Sequence, residues 1–154
     1  MWLEFGIEFI DGQPVARIPV ALSTSPPSAQ YLEYAAADAD FHLPYCVFRA
    51  SLAPRLGIPN WRSGTRADPV LLYDLGRQEV WLHPLSYFFR YGDQDLEGPD
   101  CLMGFCEGMP THIDGILGRD GFFGRYQVQY DLVNSAFSVN YTEAPPKPLV
   151  YGTS

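Results

Sequence analysis

The sequence predicts an all-β fold, and three observations support that prediction. Glycine and proline each occur 14 times in 154 residues, so turns and strand boundaries come often. This frequency favours short strands over the long uninterrupted segments of a helical bundle. Apolar and polar residues alternate with a period of two over residues 126–131, which is the pattern of a half-buried strand. An apolar fraction of 47% lets one domain of this length bury its own core.

Charge and composition exclude several classes of function. The net charge is -8 and Lys147 is the single lysine, so we expect no nucleic-acid partner. No apolar run reaches the roughly 18 residues of a membrane span, and we expect no membrane partner. The first residues carry acids and lack the basic start of a signal peptide. Three cysteines, an odd number, then predict reduced thiols and a cytoplasmic location.

Several segments predict individual elements in one domain of residues 1–142, followed by a Pro-containing tail at 143–154. Residues 15–22 predict a strand, and Pro19 within it indicates an edge position, because proline cannot donate to a ladder. A short helix is predicted from Ser51, as N-cap, to Gly57. Further strands are expected at residues 2–10, 70–73, 79–83, 87–91, 101–106 and 137–141.

Residues 114–131 contain the most informative motif of the chain. The aliphatic pair Ile116 and Leu117 runs into Gly118, and Arg119 and Asp120 follow. A polar-aromatic turn of helix over residues 119–125 then leads into the alternating strand. This order resembles the C-terminal signature of the retropepsin-like aspartic peptidases. The resemblance implies an acid-protease half-barrel with one or two short helices and no cofactor or metal, in which the glycine allows close backbone approach.

The resemblance also implies where a catalytic loop lies. Members of that family carry one Asp-Thr/Ser-Gly loop per chain, followed by an apolar run and a short helix that ends in Leu-Gly. Counting back from Leu56 and Gly57 without a gap places the loop on Asp40, Phe41 and His42. Phe41 then replaces the hydroxyl residue that braces the two loops of a dimer, and His42 replaces the glycine.

Two other alignments remain open. Asp38 can take the catalytic position, with Ala39 in place of the hydroxyl residue, or Ala36 can take it, with Asp38 and Asp40 further along the loop. In either case the triplet is incomplete. The resemblance predicts that residues 31–40 form a strand, although their alanines favour a helix. On a strand, Asp38 and Asp40 face the same side. Three interpretations remain open: a carboxylate pair, a cation site, or a solvated acidic strand end in an acidic protein.

The family resemblance leads to two functional hypotheses. Aspartic peptidase chemistry needs two carboxylates that share one proton, and a retropepsin obtains them by forming a homodimer. The first hypothesis is an impaired peptidase homologue that acts as a binding or dimerisation module for a peptide or protein. The second is an active homodimeric aspartic endopeptidase that uses Asp40 or Asp38. An unrelated β-barrel binding protein is a third possibility, which the absence of a crossing between the loop and Gly118 would favour.

Three further predictions concern Arg119, a flap and the cysteines. The resemblance implies that Arg119 lies near a subunit interface, and that a flap lies between Trp61 and residue 73, with residues 62–66 as its tip. Cys101 and Cys106, together with His112 and His83, are spaced too loosely for zinc, so buried free thiols are expected. A nucleophile pair formed by Cys46 and His42 lacks any orienting group and is disfavoured.

Overall fold

A computed structural model describes residues 1–24, 32–72 and 75–142, and within them the predicted all-β class is confirmed. Parts of three predictions lie outside the described residues: the first residue of the strand predicted at 31–40, the last residue of the strand predicted at 70–73, and the tail at 143–154. All ten strands belong to one sheet. They are β1 (Trp2–Ile10), β2 (Gln13–Thr24), β3 (Leu32–Ala39), β4 (Val47–Arg49), β5 (Thr65–Leu72), β6 (Gly76–Tyr91), β7 (Gln94–Cys106), β8 (Gly115–Leu117), β9 (Val128–Asp131) and β10 (Ala136–Asn140).

Six of the strands close a barrel. Their order is β6-β7-β4-β8-β3-β2, and β2 pairs back onto β6 through residues 20–24. Strand β5 extends the sheet beyond β6, and β1, β10 and β9 extend it beyond β2, which leaves β5 and β9 as the edges. The two segments predicted as separate strands at 79–83 and 87–91 are both parts of β6, which runs for 16 residues.

The predicted edge position of β2 is wrong. Residues 13–17 pair with β1 and residues 20–24 pair with β6, while residues 18–23 pair with β3. Pro19 falls in the short interval between the first two pairings, so its partner is Ala36 of β3 alone. The missing N–H of proline is therefore tolerated inside a strand that is central to the barrel.

Strand β8 lies between β3 and β4, and this arrangement forces a crossing. It runs parallel to β3 and antiparallel to β4, so the chain from β3 to β4 must pass the end of β8. The connecting loop, residues 40–46, crosses there. Arg119 donates its backbone N–H to Leu43 O at 2.9 Å, and Asp120 donates to Pro44 O at 3.0 Å. The loop and Gly118 therefore cross as the resemblance predicted. The absence of this crossing would have favoured an unrelated β-barrel.

The helical predictions are only partly confirmed. Residues 51–57 form two 3₁₀ turns, Ala50–Leu52 and Pro54–Leu56, and Gly57 ends the second with φ of 80°. Ser51 is not an N-cap, because it lies inside the first turn, which Arg49 precedes. A third 3₁₀ turn spans Trp61–Ser63.

Residues 119–125 form hydrogen-bonded turns and not the predicted helix. Gly124 donates to Arg119 O at 2.8 Å and Phe123 to Gly118 O at 3.1 Å, so these bonds span one residue more than those of an α-helix. Gly121 has φ of 93°, a backbone conformation that a helix cannot include.

The core consists of two hydrophobic clusters on opposite faces of β4 and β8. Val47 and Ile116 belong to the smaller cluster, whereas their neighbours Phe48 and Leu117 belong to the larger one. Both faces of these strands are buried, which explains their continuous apolar sequence. The smaller cluster gathers Val15, Leu43, Tyr45, Val47, Val70, Leu72, Val80, Cys106, Met109, Ile113 and Ile116.

Candidate active site

Asp40 is the first residue after β3, where the loop at residues 40–46 begins. Its backbone N–H donates to Leu117 O of β8 at 3.0 Å, and Leu43 donates back to Asp40 O at 3.2 Å. These two bonds hold the residue at the crossing. The Asp40 side chain is 22% exposed, so its carboxylate is accessible to solvent. Of the two predicted catalytic aspartates, Asp40 is therefore the one that can meet a substrate or a second chain.

His42 contacts the Asp40 carboxylate twice. Its backbone N–H donates to Oδ1 at 2.8 Å, and its Nδ1 lies 3.1 Å from the same oxygen. The resemblance assigns such a backbone N–H to the glycine of the family triplet, and His42 supplies it here. The imidazole is 93% exposed, so the bulk of His42 meets no steric barrier within its own chain.

Phe41 projects from the loop into solvent. Its exposed fraction is 58%, although its ring packs edge to face against Phe123 at 5.5 Å. The guanidinium of Arg119 lies 5.9 Å from the centre of the Phe41 ring. Among the described residues Arg119 makes no ion pair, so its contact beside the loop is with an aromatic face.

Gly118 brings the backbone of β8 directly beneath the loop. A Cβ atom at this position would lie 2.3 Å from Tyr45 O and 2.7 Å from Leu43 O. Real side chains do not approach backbone oxygens so closely, so only glycine fits without a shift of the chain. Cys46 adds to the contact, since its Sγ lies 3.5 Å both from Gly118 N and from Asp120 O. The signature residues 116–120 thus support the loop from below.

Asp38 lies in β3 and is only 5% exposed. Its Oδ1 accepts hydrogen bonds from Ala16 N at 2.9 Å and from Ala39 N at 2.8 Å. Burial raises the pKa of the Asp38 carboxyl above its usual value, and the nearby charge of Asp40 adds to this rise. Because it is buried and linked to β2, Asp38 is placed to join two strands and is shielded from external ligands.

Ala36, the third candidate for the catalytic position, lies within β3. Its backbone N–H donates to Asp114 Oδ2 at 2.9 Å, and Asp114 N donates back to Ala36 O at 2.8 Å. Arg49 Nε approaches Asp114 Oδ1 at 3.6 Å. Asp114, which precedes the signature, therefore connects β3 to β4, a role that the sequence pattern did not reveal.

The cysteines and histidines occupy separate environments. The Cys46 thiol is fully buried, and burial raises its pKa to about 12, whereas the His42 ring is in solvent. Cys106 packs in the smaller cluster and donates to Gly108 O. Across residues 1–24, 32–72 and 75–142, no group of three or more metal-ligating side chains could hold an ion. In the same part of the chain, no helix has the length and apolarity needed to cross a bilayer.

The predicted flap tip is wrong. Residues 62–66 belong to a 3₁₀ turn and the start of β5, where the Arg62 guanidinium lies 4.4 Å from the Trp61 ring centre. The hairpin formed by β5 and β6 instead contacts the loop at residues 40–46 through residues of β5. Tyr45 donates its hydroxyl to Asp68 O at 2.5 Å, and Leu72 is buried in the smaller cluster with Leu43.

An exposed aromatic residue beside Asp40 was not anticipated from the sequence. Tyr130 of the edge strand β9 is 47% exposed, and its hydroxyl donates to Ala39 O at 3.3 Å. Leu132 and Val133 follow within about 10 Å along the chain and are 51% and 93% exposed. Alternation within β9 was a signal for the strand, but nothing in the sequence placed it next to Asp40.

Comparison with known proteins bears on the fold. No protein-family model matches this chain, and no curated protein matches it in sequence. A crystal structure of a retropepsin-like aspartic protease from Rickettsia conorii superposes with a TM-score of 0.57 at 13% identity. The match covers 90% of this chain and 98% of that one. The predicted retropepsin-like half-barrel is thereby confirmed, with three 3₁₀ turns described where one or two short helices were predicted. At this identity the likeness concerns the fold alone.

The buried carboxylate of Asp38 gives a test of pH dependence. Its pKa is higher in the folded than in the unfolded protein, so the folded state binds more protons between these two values. Wild-type stability should therefore fall as the pH rises through that window. Asp38→Asn keeps an oxygen acceptor and removes the charge. We expect urea unfolding to give equal stability for the two proteins at acid pH and greater stability for the variant at neutral pH.

Asp38→Ala is the matched control for this experiment. It leaves the N–H groups of Ala16 and Ala39 without their acceptor, so we expect Asp38→Ala to be less stable than Asp38→Asn by about 1–3 kcal/mol at every pH. An equal loss at neutral pH for Asp38→Asn and Asp38→Ala would contradict the interpretation.

Proposed function

We propose that this retropepsin-fold chain is impaired as a peptidase and acts as a cytoplasmic binding or dimerisation module for itself and for a peptide or protein. The observation that carries the proposal is the exposed ring of Phe41, directly after Asp40. Retropepsin chemistry, as the resemblance implies, needs a small hydroxyl residue at this position. The proposal takes Asp40 as the remnant of the catalytic residue and Asp38 as its buried neighbour.

The position of Phe41 opposes the approach of two acid loops. Two carboxylates share a proton only when their oxygens lie within hydrogen-bond distance. A second chain that brings its Asp40 toward this one also brings its own Phe41, since a twofold axis places the same residues on both sides. Two rings then fill the space where short hydroxyl side chains would brace the loops.

His42 already contacts the Asp40 carboxylate. Its backbone N–H donates to Oδ1 at 2.8 Å, and its Nδ1 lies 3.1 Å from the same oxygen. A second carboxylate that approaches this oxygen must compete with these two contacts. The carboxylate of Asp40 is thereby held by its own chain.

The same surface supports association. Phe41, Tyr130, Leu132 and Val133 are each exposed. Tyr130 lies on β9, which is an edge strand of the described sheet, and its hydroxyl reaches Ala39 O beside Asp40. An unpaired edge strand with apolar side chains is a template for pairing with another chain. We infer a homodimer through these residues, with Arg119 at their rim.

An active aspartic peptidase is the second candidate. The observation in its favour is that Asp40 remains accessible and accepts the backbone N–H of His42 at 2.8 Å. The backbone hydrogen bond from His42 to Asp40 does not require a glycine at position 42, because the His42 side chain extends into solvent. Rotation of the His42 and Phe41 side chains in a dimer would then free the carboxylates for catalysis.

The dimer is tested by sedimentation velocity over a range of concentrations with Phe41→Ser. Removal of an aromatic hot-spot residue from the centre of an interface costs about 2 kcal/mol or more, so we expect the dimer Kd to rise at least about thirtyfold. Tyr34→Ser is the matched control. Tyr34 is 52% exposed and lies six residues before Asp40 on β3, about 20 Å away.

Two results would count against this interface. A wild-type chain that stays monomeric at every concentration would remove it. Equal weakening by Phe41→Ser and Tyr34→Ser would place the contact elsewhere.

Catalytic impairment is tested by peptide-library cleavage from acid to neutral pH. We expect the wild type to show no cleavage that depends on Asp40. Asp40→Asn and Asp38→Asn should therefore give the same result as the wild type. The chains must first be shown to be folded and dimeric. Cleavage abolished by Asp40→Asn alone would establish the active peptidase and assign its aspartate.

A further inference from the structure

A groove of about 500 Å³ crosses strands β2 and β3 on their exposed face, between the end of β6 and the residue that precedes β8. Its volume falls within the usual range for small-molecule sites, about 300–1,000 Å³. Tyr34, which lines the groove, lies about 20 Å from Asp40 along β3. The groove is therefore separate from the loop at residues 40–46 and from the dimer contact proposed above.

Small side chains form the floor of this groove. Pro19 of β2 and Ala36 of β3 are direct ladder partners, so their side chains lie side by side on the same face. Tyr34 precedes Ala36 by two residues on β3, which places its half-exposed ring on that face too. Gly92, in the turn between β6 and β7, adds no side chain. Ala36, from the run that favoured a helix by composition, thus leaves a depression beside an aromatic ring.

Arg90, at the end of β6, supplies a cationic wall. Its guanidinium lies 4.3 Å from the centre of the Tyr34 ring, a contact that orients the guanidinium plane. Its Nε lies 3.0 Å from Oδ1 of Asp95, the ladder partner of Arg90 in β7. Within the described residues this is the one ion pair of Arg90. A guanidinium has five N–H groups, and the edge formed by Nη1 and Nη2 can bind a second carboxylate in bidentate form.

Asp114 lies at the other end of the groove. The strand order β6-β2-β3-β8 places Arg90 and Asp114 about three strand spacings apart, or about 14 Å. The Asp114 carboxylate accepts the N–H of Ala36 at 2.9 Å and lies 3.6 Å from Nε of Arg49. A carboxylate has no N–H or O–H to donate when it is ionised. Only the Arg90 end of the groove can therefore bind an anionic group.

We propose that the groove binds a small organic monocarboxylate with a flat apolar body. The carboxylate pairs with the terminal nitrogens of Arg90, and the body lies on Pro19 and Ala36 beside the Tyr34 ring. This site goes beyond the proposed binding or dimerisation function, since it takes a small molecule on a different part of the sheet.

The test is an amide NMR titration of the full chain with benzoate. The amides of Ala36 and Gly92 report on the groove, and those of Gly12 and Gly121, in distant turns, serve as internal controls. Benzoate should shift the first pair along a saturable curve and leave the second pair in place. Benzamide, which has the same shape without the charge, should shift neither pair. Terephthalate, which carries a second carboxylate at its far end, should bind more weakly than benzoate.

Variants assign the binding to the groove. Arg90→Gln removes the charged fork, so the Kd for benzoate should rise at least about tenfold. Arg77→Gln is the matched control, because Arg77 is an exposed arginine at the opposite end of the same strand. Ala36→Val fills the floor with a residue that suits a strand, so it should weaken benzoate binding while Arg90 is intact.

Four outcomes would overturn the proposal. The absence of a saturable shift at Ala36 and Gly92 would show that the groove takes no carboxylate. Equal shifts with benzamide would show that charge does not direct the contact. Equal weakening by Arg90→Gln and Arg77→Gln would assign the effect to overall charge. Binding of terephthalate as tight as that of benzoate would contradict a site for monocarboxylates.

Discussion

At Gly118 the backbone of β8 passes so close beneath the loop at residues 40–46 that a Cβ atom would lie 2.3 Å from Tyr45 O. This approach allows the N–H groups of Arg119 and Asp120 to reach the loop carbonyls. It also brings Gly118 N to the buried Cys46 sulfur. The loop therefore has a defined position although it contains no regular structure. The accessible carboxylate of Asp40 has its position for the same reason.

The loop presents two faces with different constraints. Leu43 and Tyr45 point inward and are buried in the smaller cluster, so they keep the crossing in place. Phe41 and His42 point outward, and their side chains are largely exposed to solvent. Changes at the outward positions can therefore occur without disturbing the fold. In our proposal that Asp40 is the remnant of a catalytic residue, this division lets the half-barrel persist although the triplet lacks both the hydroxyl residue and the glycine.

Much of the fold followed from the sequence because its strands alternate or form short apolar runs between glycines and prolines. The signature at 116–120 and the strand ending near Asp40 followed from the resemblance. The helix expected at 119–125 did not form, because Gly121 adopts a left-handed backbone conformation that composition cannot reveal. The edge position inferred from Pro19 was wrong, because the place at which β2 tolerates a proline depends on which strands pair with β2. The position of Tyr130 beside Asp40 depends on contacts between distant segments, which no local pattern encodes.

The contact at Gly118 is tested most directly by Gly118→Ala, with Gly6→Ala as the control. Gly6 lies in an exposed strand position with no atom within 4 Å of an added Cβ. The account predicts a loss of about 1–3 kcal/mol or more for Gly118→Ala, with faster amide exchange at Arg119 and Asp120, and little change for Gly6→Ala. Equal unfolding free energies for the two variants, with Arg119 and Asp120 still protected, would contradict it.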